Sequence, residues 1–157
     1  MIYIKLLLKK FTENVEASTM KNIYVIGVFD LFHTGHVELL RRSKELGDKL
    51  IVAINGDEMV ALYKRRPYLN EKDRLAVVKA CRYVDDAFII EEYDNKEYLK
   101  RYNIDVIVHG DDWDADSYMK QIRVSKDFLN ENNIALEFLP YTQGISTSEL
   151  IHKIKES

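Results

Sequence analysis

Two histidines, His33 and His36, stand three residues apart in a short polar turn that follows an apolar run, residues 23–28. Gly35 lies between them, and an amphipathic segment follows at once. Glycine lets a backbone approach a bulky anion closely, and the N–H groups at a helix start attract negative charge. Imidazoles beside a triphosphate can donate hydrogen bonds to oxygens that gain charge in the transition state. The spacing therefore predicts a nucleoside triphosphate site, and with it an enzyme.

A zinc site is the alternative for this histidine pair. Zinc in proteins needs three or four protein ligands, and His109 and His152 have no spacing that would complete such a set. Cys81 stands alone in an apolar helical context, which is typical of a small buried side chain. We therefore expect no metal ion held by protein ligands.

Alternating strands and helices must position these residues. Short, continuous apolar runs predict buried strands at residues 23–28, 50–55, 84–90, 105–109 and 134–139. Helices are predicted at residues 35–46, 56–63, 70–82, 94–102, 118–130 and from 147 to the end. This alternation predicts an α/β fold, a doubly wound five-stranded parallel sheet. Ligands bind such sheets outside the carboxyl ends of the strands, which is where the polar motifs fall.

Length and composition limit the remaining choices. The 157 residues fit one domain, and the net charge of −3 gives no reason to expect nucleic acid or an anionic membrane as partner. No apolar run approaches the roughly 20 residues of a membrane span, and a single cysteine favours a cytoplasmic protein. Residues 1–19 are predicted to be an appendage to the domain at residues 20–157. They fit an upstream start, a tail that packs on a neighbour or a disordered arm.

The run from Gly27 to His36 resembles the HxGH signature of the nucleotidyltransferase superfamily, and its cytidylyltransferase branch in particular. Three further segments resemble that branch, in order and at familiar spacing: RYVDD at 82–86, HGDDW at 109–113 and TQGISTS at 142–148. The resemblance covers residues 21–155 and is strongest to the bacterial glycerol-3-phosphate cytidylyltransferases. Phosphoethanolamine and phosphocholine cytidylyltransferases share the same motifs.

The resemblance implies a Rossmann-like nucleotidyltransferase fold and transfer of CMP from CTP to a small phosphorylated alcohol such as glycerol 3-phosphate. A CDP-alcohol and pyrophosphate would be the products. Mg²⁺ is implied as a partner of the triphosphate, held mostly by phosphate oxygens and water. A homodimer is implied as well, with residues 82–85 near its interface.

The resemblance also assigns roles to individual residues. A catalytic role is implied for His33, His36 and Arg82. Acceptor binding is implied at the positions of Tyr63 and Lys96. Nucleotide binding is implied for Val28, Phe29, Asp30, Gly35, Arg65, Asp111, Trp113, Tyr141, Thr142, Gly144, Ile145, Ser146 and Thr147.

Two tyrosines depart from the family pattern. Tyr63 and Tyr141 stand where the family has cations near phosphates, and a phenol cannot replace a guanidinium's charge or its forked donors. Lys64 or Arg66 could compensate from the adjacent loop. Without that compensation we expect glycerol 3-phosphate to be a poor acceptor. An acceptor bearing an amine or amide should then do better, paired with a carboxylate from Asp94, Glu97 or Asp114.

Other interpretations stay open at this point. Ser146 and Glu149 have the spacing of a capping box, which would start the last helix whatever the function. The first functional alternative is a related enzyme that uses a nucleotide other than CTP, such as an adenylyltransferase of the FAD-synthetase kind. A non-catalytic nucleotide-binding module is the second, suggested by the two missing cations and opposed by the retained histidines.

Overall fold

The computed structural model describes Ile4 and residues 20–157. The appendage predicted at residues 1–19 therefore lies, apart from Ile4, outside the described residues. Five strands form one sheet: β1 (Asn22–Gly27), β2 (Lys49–Asn55), β3 (Asp86–Ile90), β4 (Val106–Gly110) and β5 (Ala135–Leu139). All neighbours pair in parallel, in the order β3-β2-β1-β4-β5. The winding reverses between β1 and β4, which confirms the predicted doubly wound sheet and places its switch point there.

Seven helices are described after residue 20: α1 (Thr34–Lys44), α2 (Asp57–Ala61), α3 (Glu71–Ala80), α4 (Lys96–Arg101), α5 (Ala115–Gln121), α6 (Lys126–Glu131) and α7 (Thr147–Glu156). The prediction of a single helix at 118–130 is wrong, because this segment forms parts of two helices, α5 and α6. Arg123 between them has a left-handed backbone (φ 57°). The Ser125 hydroxyl then caps α6 by accepting from the N–H of Phe128 at 3.1 Å. Within the described ranges, no helix is both long enough and apolar enough to cross a membrane.

The sheet is buried on both faces, which explains why its strands are continuous apolar runs. Alternate residues of β1 belong to different core clusters, since successive side chains of a strand point to opposite faces. Tyr24 and Ile26 pack with Leu99, Tyr118 and Leu129, from α4, α5 and α6. The opposite face packs on α1 and α3, with core members Ile23, Val25, Leu40 and Val78. Both layers leave the carboxyl ends of β1, β2 and β4 open above the sheet.

Candidate active site

A cleft of about 420 Å³ opens at the carboxyl ends of the strands. Its walls come from the segments after β1, β2, β4 and β5 and from the N-termini of α1 and α7. Asp30 and Thr147, which are 117 positions apart in the chain, touch each other in it. Most of the predicted site residues line the cleft, namely His33, His36, Val28, Phe29, Asp30, Gly35, Tyr63, Arg65, Trp113, Tyr141, Thr142, Ile145, Ser146 and Thr147.

Both histidine rings accept from backbone N–H groups at the start of α1. His33 is the N-cap, and its Nδ1 accepts from the N–H of Gly35 at 3.1 Å. Nδ1 of His36 accepts in turn from the N–H of His33 at 3.2 Å. The rings stack with their centroids 3.9 Å apart. A Cβ at Gly35 would lie 2.8 Å from the His33 ring, so glycine is needed here for the cap itself as well as for access to a ligand.

These hydrogen bonds also decide which ring nitrogen carries the proton. A nitrogen that accepts from an N–H holds no proton, so each neutral ring carries its proton on Nε2. Burial lowers the pKa of His33. Burial, His33 and Lys64 together lower the pKa of His36 from 6.5 to about 3, against a smaller opposing effect of Asp30. Both rings are therefore neutral near pH 7 and keep an Nε2–H donor at the cleft.

The turn between β1 and α1 holds the histidines in an unusual backbone. Phe29 and Leu31 lie in the left-handed region, with φ of 55° and 48°, which is unfavourable by about 1–3 kcal/mol for such a residue. Phe29 is buried, and the rings of Phe29 and Phe32 each lie 5.4 Å from the ring of His36. Aromatic packing thus offsets the strain and fixes the position of His36.

The start of α7 brings a second helix N-terminus to the cleft. Ser146 caps it, because its Oγ accepts from the backbone N–H three residues on at 3.1 Å, and its O–H proton is still available to donate. The Thr147 hydroxyl donates to the backbone carbonyl of Asp30 at 3.0 Å and lies 3.4 Å from Nε2 of His33. Helix N-termini favour anions. We call this region the phosphate end of the cleft, made of His33, His36, Ser146 and Thr147.

Asp30 fixes the basic loop at residues 64–69 to the phosphate end. Its carboxylate accepts from the backbone N–H groups of Tyr68 at 2.9 Å and Leu69 at 3.0 Å, and from Nη2 of Arg65 at 3.1 Å. Burial raises the pKa of Asp30, but these donors together outweigh it and lower the pKa. Nucleotide binding by Asp30 stays a prediction, whereas its structural role as an anchor is clear.

Lys64 lies beside Arg65 on the wall of the cleft. Arg66, the other candidate to compensate for Tyr63, pairs with Glu58 instead and does not line the cleft. Desolvation and Arg65 lower the pKa of Lys64, as expected for a cation that faces other cations. Lys64 therefore supplies positive charge next to Tyr63. The expectation that glycerol 3-phosphate is a poor acceptor assumed that no nearby cation compensates for Tyr63, and it stays a prediction.

Arg74, which the sequence analysis missed, ties together the elements that carry the site. It is fully buried. Its guanidinium donates to the carbonyls of Val28 at 2.5 Å, Asn55 at 2.8 Å and Leu69 at 3.0 Å, and pairs with Asp57 at 2.8 Å. The ends of β1 and β2 and the basic loop are thus joined by one side chain. The feature of the sequence that indicated burial of Arg74 was its position four residues before Val78, on the buried face of α3.

Neither Arg82 nor Lys96 lines the cleft. Arg82 is exposed in the turn that precedes β3, at the amino end of that strand and so at the opposite edge of the sheet. Nζ of Lys96 donates to the carbonyl of Arg123 at 2.9 Å and pairs with Asp94 at 2.9 Å. The predicted catalytic and acceptor roles of these two residues are not supported by their placement.

Asp111 and Gly144 also lie outside the cleft but shape it. Oδ1 of Asp111 accepts from the N–H of Tyr141 at 2.9 Å, which holds Tyr141 at the cleft wall. Gly144 has a φ of 84°, a left-handed conformation that favours glycine, in the turn that leads into α7. Both residues therefore support neighbours that face the cleft.

The carboxylates predicted to pair with an amine-bearing acceptor lie elsewhere. Asp94 pairs with Lys96, and Asp114 caps α5 by accepting from the N–H of Ser117 at 2.9 Å. Glu97 is exposed on α4. Because these three carboxylates are absent from the described cleft wall, their predicted pairing with an amine is not supported.

A further group of residues lines the cleft where no motif predicted a site. We call it the inner end of the cleft, made of Asn55, Met59, Tyr118 and Ile122. Asn55 is the last residue of β2. The one feature of the sequence that indicated a site here is a polar residue at the carboxyl end of a buried strand. Tyr118 stands four residues before Ile122 on the buried side of α5 and is 2 % exposed, a pattern that indicates core rather than site.

A third surface of the cleft lies after β4 and β5. Trp113 is partly exposed there, and His109 lies edge-on to it with centroids 6.3 Å apart. A Cβ at Gly110 would lie 2.9 Å from Oδ1 of Asp112 and 3.9 Å from the Tyr141 ring. Trp113 and Tyr141 thus offer exposed aromatic surface on this wall of the cleft, a surface suited to a flat base.

The doubly wound sheet, the paired histidines and the two converging helix N-termini define a nucleotidyltransferase. Comparison with known proteins identifies its family. The chain belongs to the cytidylyltransferase-like family, whose sequence model matches residues 24–153. The predicted family resemblance is thereby confirmed.

Individual relatives support the same assignment. Glycerol-3-phosphate cytidylyltransferase of Bacillus subtilis (strain 168) is 36% identical over 136 residues, which cover 86% of this chain and 98% of the relative. FAD synthase of Pyrococcus horikoshii is 40% identical over 136 residues, which cover 85% of this chain and 92% of the relative. The crystal structure of the lipopolysaccharide core biosynthesis protein from Thermoplasma volcanium GSS1 has a TM-score of 0.64 at 27% identity, covering 80% of this chain and 99% of that one. The relatives carry the names of different reactions at similar identity, so the choice of nucleotide and acceptor is a matter of proposal.

Proposed function

We propose that the chain transfers CMP from CTP to the phosphate of a small phosphorylated alcohol. An oxygen of the acceptor phosphate forms a bond to the α-phosphorus of CTP, and the bond from that phosphorus to the bridging oxygen of the β-phosphate breaks. A CDP-alcohol forms, and pyrophosphate leaves with the electron pair of the broken bond. The observation that carries the proposal is the reciprocal cap of His33 and His36, which holds two neutral rings at the cleft with their protons on Nε2.

The catalytic contribution of the chain is positioning and charge stabilisation. The Nε2–H groups of His33 and His36 donate to phosphate oxygens whose negative charge grows as the bonds exchange. The start of α7, with its backbone N–H groups at Ser146 and Thr147 and the hydroxyl of Ser146, binds the β- and γ-phosphates. Lys64 and Arg65 add positive charge from the basic loop. No side chain forms a covalent bond to the substrate in this scheme.

Mg²⁺ is proposed as the partner of the triphosphate. Among the residues that the structure describes, no group of three or more His, Cys, Asp or Glu side chains is placed to hold a metal ion. Mg²⁺ usually keeps several waters and takes phosphate oxygens with one or two carboxylates at most, so the cleft is compatible with an ion that arrives with CTP. When bound, it would neutralise charge on the phosphates.

The choice of CTP is supported by three segments that resemble the cytidylyltransferase branch, at 82–86, 109–113 and 142–148. The second of them supplies Trp113 to the wall beside the phosphate end. The test is a titration of CTP, ATP, GTP and UTP in the presence of Mg²⁺, together with pyrophosphate release from each. Tightest binding of CTP is expected.

The rival function is an adenylyl transfer, favoured by the 40% identity to an FAD synthase. Equal or tighter binding of ATP in the same titration would support it and overturn the choice of CTP. The phosphate end would serve either nucleotide, because it contains nothing that reads a base.

The homodimer is also proposed rather than observed. Arg82 is exposed at the amino end of β3, so any role of Arg82 in catalysis would require a contact that the described part of its own chain does not provide. Sedimentation equilibrium of the wild type and of Arg82→Ala tests this directly. A dimer that Arg82→Ala weakens is expected, and a wild-type monomer would contradict the proposal.

A further inference from the structure

The hydroxyl of Thr147 lies between two groups that fix the direction of its hydrogen bonds. Its Oγ1 is 3.0 Å from the backbone carbonyl of Asp30, and because a carbonyl only accepts, the hydroxyl proton is directed there. The same Oγ1 is 3.4 Å from Nε2 of His33. Nδ1 of His33 accepts from the N–H of Gly35, so Nε2 carries the ring proton and donates to Thr147. A directed chain of hydrogen bonds therefore runs from the His33 ring through Thr147 to the turn after β1.

This chain makes the Thr147 hydroxyl a poor ligand for a phosphate. Its one proton is engaged by the carbonyl of Asp30, and phosphate oxygens need donors. The other polar groups at the start of α7 are arranged differently. Oγ of Ser146 accepts from the N–H of Glu149 and keeps its own proton to donate, and the N–H of Thr147 belongs to the first turn, where helices leave N–H groups unpaired. Removal of the Thr147 hydroxyl should therefore leave the anion-binding donors of α7 in place.

The turn that Thr147 contacts needs a restraint from outside. Phe29 and Leu31, on either side of Asp30, both have left-handed backbones, and such conformations persist only where the surrounding structure holds them. The ring of Phe29 is buried, but Leu31 is only half-buried. The peptide group that joins Asp30 to Leu31 is the one whose carbonyl accepts from Thr147. The Thr147 hydroxyl thus restrains the turn that leads directly to His33.

The contact between His33 and Thr147 directs a donor without satisfying it fully. At 3.4 Å it is longer than the usual hydrogen bond of an N–H group, so it is weak. A phosphate oxygen carries negative charge and forms a shorter and stronger hydrogen bond with such a donor. The Nε2–H of His33 is therefore held in a defined direction at the cleft and is still available to a triphosphate. Donors placed in advance in this way are most effective where charge develops in a transition state.

We propose that Thr147 is a positioning residue for His33: its hydroxyl orients the Nε2–H donor and restrains the turn after β1, and it does not bind the triphosphate. The inference rests on the proposed nucleotidyl transfer and concerns the same site, but it does not depend on the choice of nucleotide or acceptor. Its consequence is a separation of effects at the start of α7. The Thr147 hydroxyl acts on turnover, whereas the backbone N–H groups and Ser146 act on binding.

Thr147→Val gives the first test, because valine keeps the branched shape of threonine and replaces the hydroxyl by a methyl group. In pyrophosphate release, kcat should fall about tenfold, the scale of a lost hydrogen bond, while KM for the nucleotide stays within about twofold. A rise in KM with unchanged kcat would show that the hydroxyl binds the triphosphate and would overturn the inference, as would two unchanged values. Thr147→Ala removes the same hydroxyl and decides if the valine variant does not fold.

Thr147→Ser and Thr34→Val are the matched variants. Serine keeps the hydroxyl, so kcat should lie within about threefold of the wild type. Thr34 is the first residue of α1, as Thr147 is of α7, and it is exposed next to His33 and outside the cleft wall. Thr34→Val should therefore change neither kcat nor KM by more than about twofold. If either variant is as slow as Thr147→Val, the effect does not come from the Thr147 hydroxyl and the inference fails.

The ring nitrogens of His33 report the contact without turnover. In protein with nitrogen-15 in its histidines, correlation of ring nitrogens with carbon-bound ring protons gives a resonance for Nε2 whatever its proton exchange rate. His33→Gln identifies the resonance of His33 by its loss. This resonance should move further in Thr147→Val than in Thr34→Val or Thr147→Ser, because only the first variant removes the oxygen that accepts from Nε2–H. Equal movement in the three variants would contradict the inference.

Failure of the proposed function is distinguishable from failure of this inference. If the wild type releases no pyrophosphate from CTP or ATP with any small phosphate, nucleotidyl transfer to small phosphates is refuted. If the wild type is active and Thr147→Val is equally fast, only the inference fails. Calorimetric titration of CTP and ATP with Mg²⁺ into the wild type and Thr147→Val adds a measurement of binding alone. A moved Nε2 resonance with affinity within about twofold supports the inference, and a loss of affinity overturns it.

Discussion

The two ends of the cleft differ in how their polar atoms are satisfied. At the phosphate end, each histidine Nδ1 accepts from a backbone N–H, and the Ser146 hydroxyl caps α7. At the inner end, Oδ1 of Asn55 and the hydroxyl of Tyr118 have no partner among the described residues. The phosphate end is thus preorganised by the chain, whereas the inner end contains buried polar atoms that the described residues leave unpaired.

This difference has an energetic meaning. Preorganised donors need no rearrangement when charge develops, which is what makes them effective in a transition state. A buried unpaired polar group, by contrast, destabilises the free protein by about 1–3 kcal/mol, and that penalty disappears when a matching ligand binds. The phosphate end should therefore control turnover, whereas the unpaired atoms at the inner end lower the stability of the free protein.

Arg74 joins the strands that carry both ends, so its replacement should have the largest effect of all. Arg74→Met leaves Asp57 and three backbone carbonyls without their donor. We expect the free energy of unfolding to fall by about 3–5 kcal/mol, the scale for breaking a buried charged network. Chemical denaturation measures this. Lys79→Met, at an exposed position of the same helix, is the matched control and should change stability by less than about 0.5 kcal/mol.

The histidine pair should give the next largest effect, and it is measured on turnover. His36→Ala and His33→Ala each remove an Nε2–H donor, so kcat should fall by about 10²–10³ while KM for CTP changes little. Pyrophosphate release under saturating substrates measures this, with the exposed His152→Ala as control. Near-normal turnover of His36→Ala would contradict the assignment of the phosphate end to catalysis.

The two ends also differ in how far the sequence predicts them. The turn from Gly27 to His36 is contiguous, and its glycine, histidines and following helix indicate a phosphate site without knowledge of the fold. The five strands are equally clear, because strands buried on both faces are continuous apolar runs. These parts of the structure depend on local sequence, so they could be predicted.

The inner end depends on contacts between distant parts of the chain. Tyr118 has the helical spacing of a core residue, and only the packing of α5 above the sheet shows that it also lines a cleft. In the sequence, Arg74 is an ordinary helix residue. Its role arises only in the folded chain, where the ends of β1 and β2 meet around its guanidinium. The break at Arg123 was missed for a related reason, since the Ser125 cap is a weak signal within an otherwise helical pattern.

A smaller effect is expected from Lys64. Comparing Lys64 with Arg66 distinguishes the effect of a positive charge in the cleft from that of a positive charge on the nearby surface. Lys64→Gln should raise KM for CTP about tenfold, near the lower limit for a hydrogen bond to a charged group, because the side chain is accessible to solvent. Arg66→Gln is the matched control, since Arg66 pairs with Glu58 outside the cleft. Equal effects of the two variants would show that Lys64 acts only through net charge.

The protonation state of His36 gives a pH dependence that the inner end lacks. The folded state holds His36 neutral down to a pKa of about 3, while the unfolded chain binds the proton below about 6.5. The unfolded state therefore binds more protons in this window, and the free energy of unfolding should fall as the pH is lowered from 6.5, by at most about 1.4 kcal/mol per pH unit.

Denaturation of wild type and His36→Gln between pH 7 and pH 4 tests this dependence. The charged or titratable neighbours of His36 are His33, Asp30 and Lys64, and they remain in the variant. The slope against pH should therefore be shallower in His36→Gln than in the wild type. Identical slopes would show that His36 titrates normally in the folded protein.

The smallest expected effect comes from Tyr141, which lines the cleft where the family has an arginine. Tyr141 is 46% exposed, so a guanidinium placed there by Tyr141→Arg would be partly screened by water. It should tighten CTP binding only about three- to tenfold, with no change in KM for the acceptor. Val77→Arg, at an exposed position outside the described cleft wall, is the control for added charge. Tighter CTP binding in Tyr141→Arg alone would place the triphosphate between this wall and the histidines, whereas a gain in acceptor affinity instead would show that Tyr141 faces the acceptor.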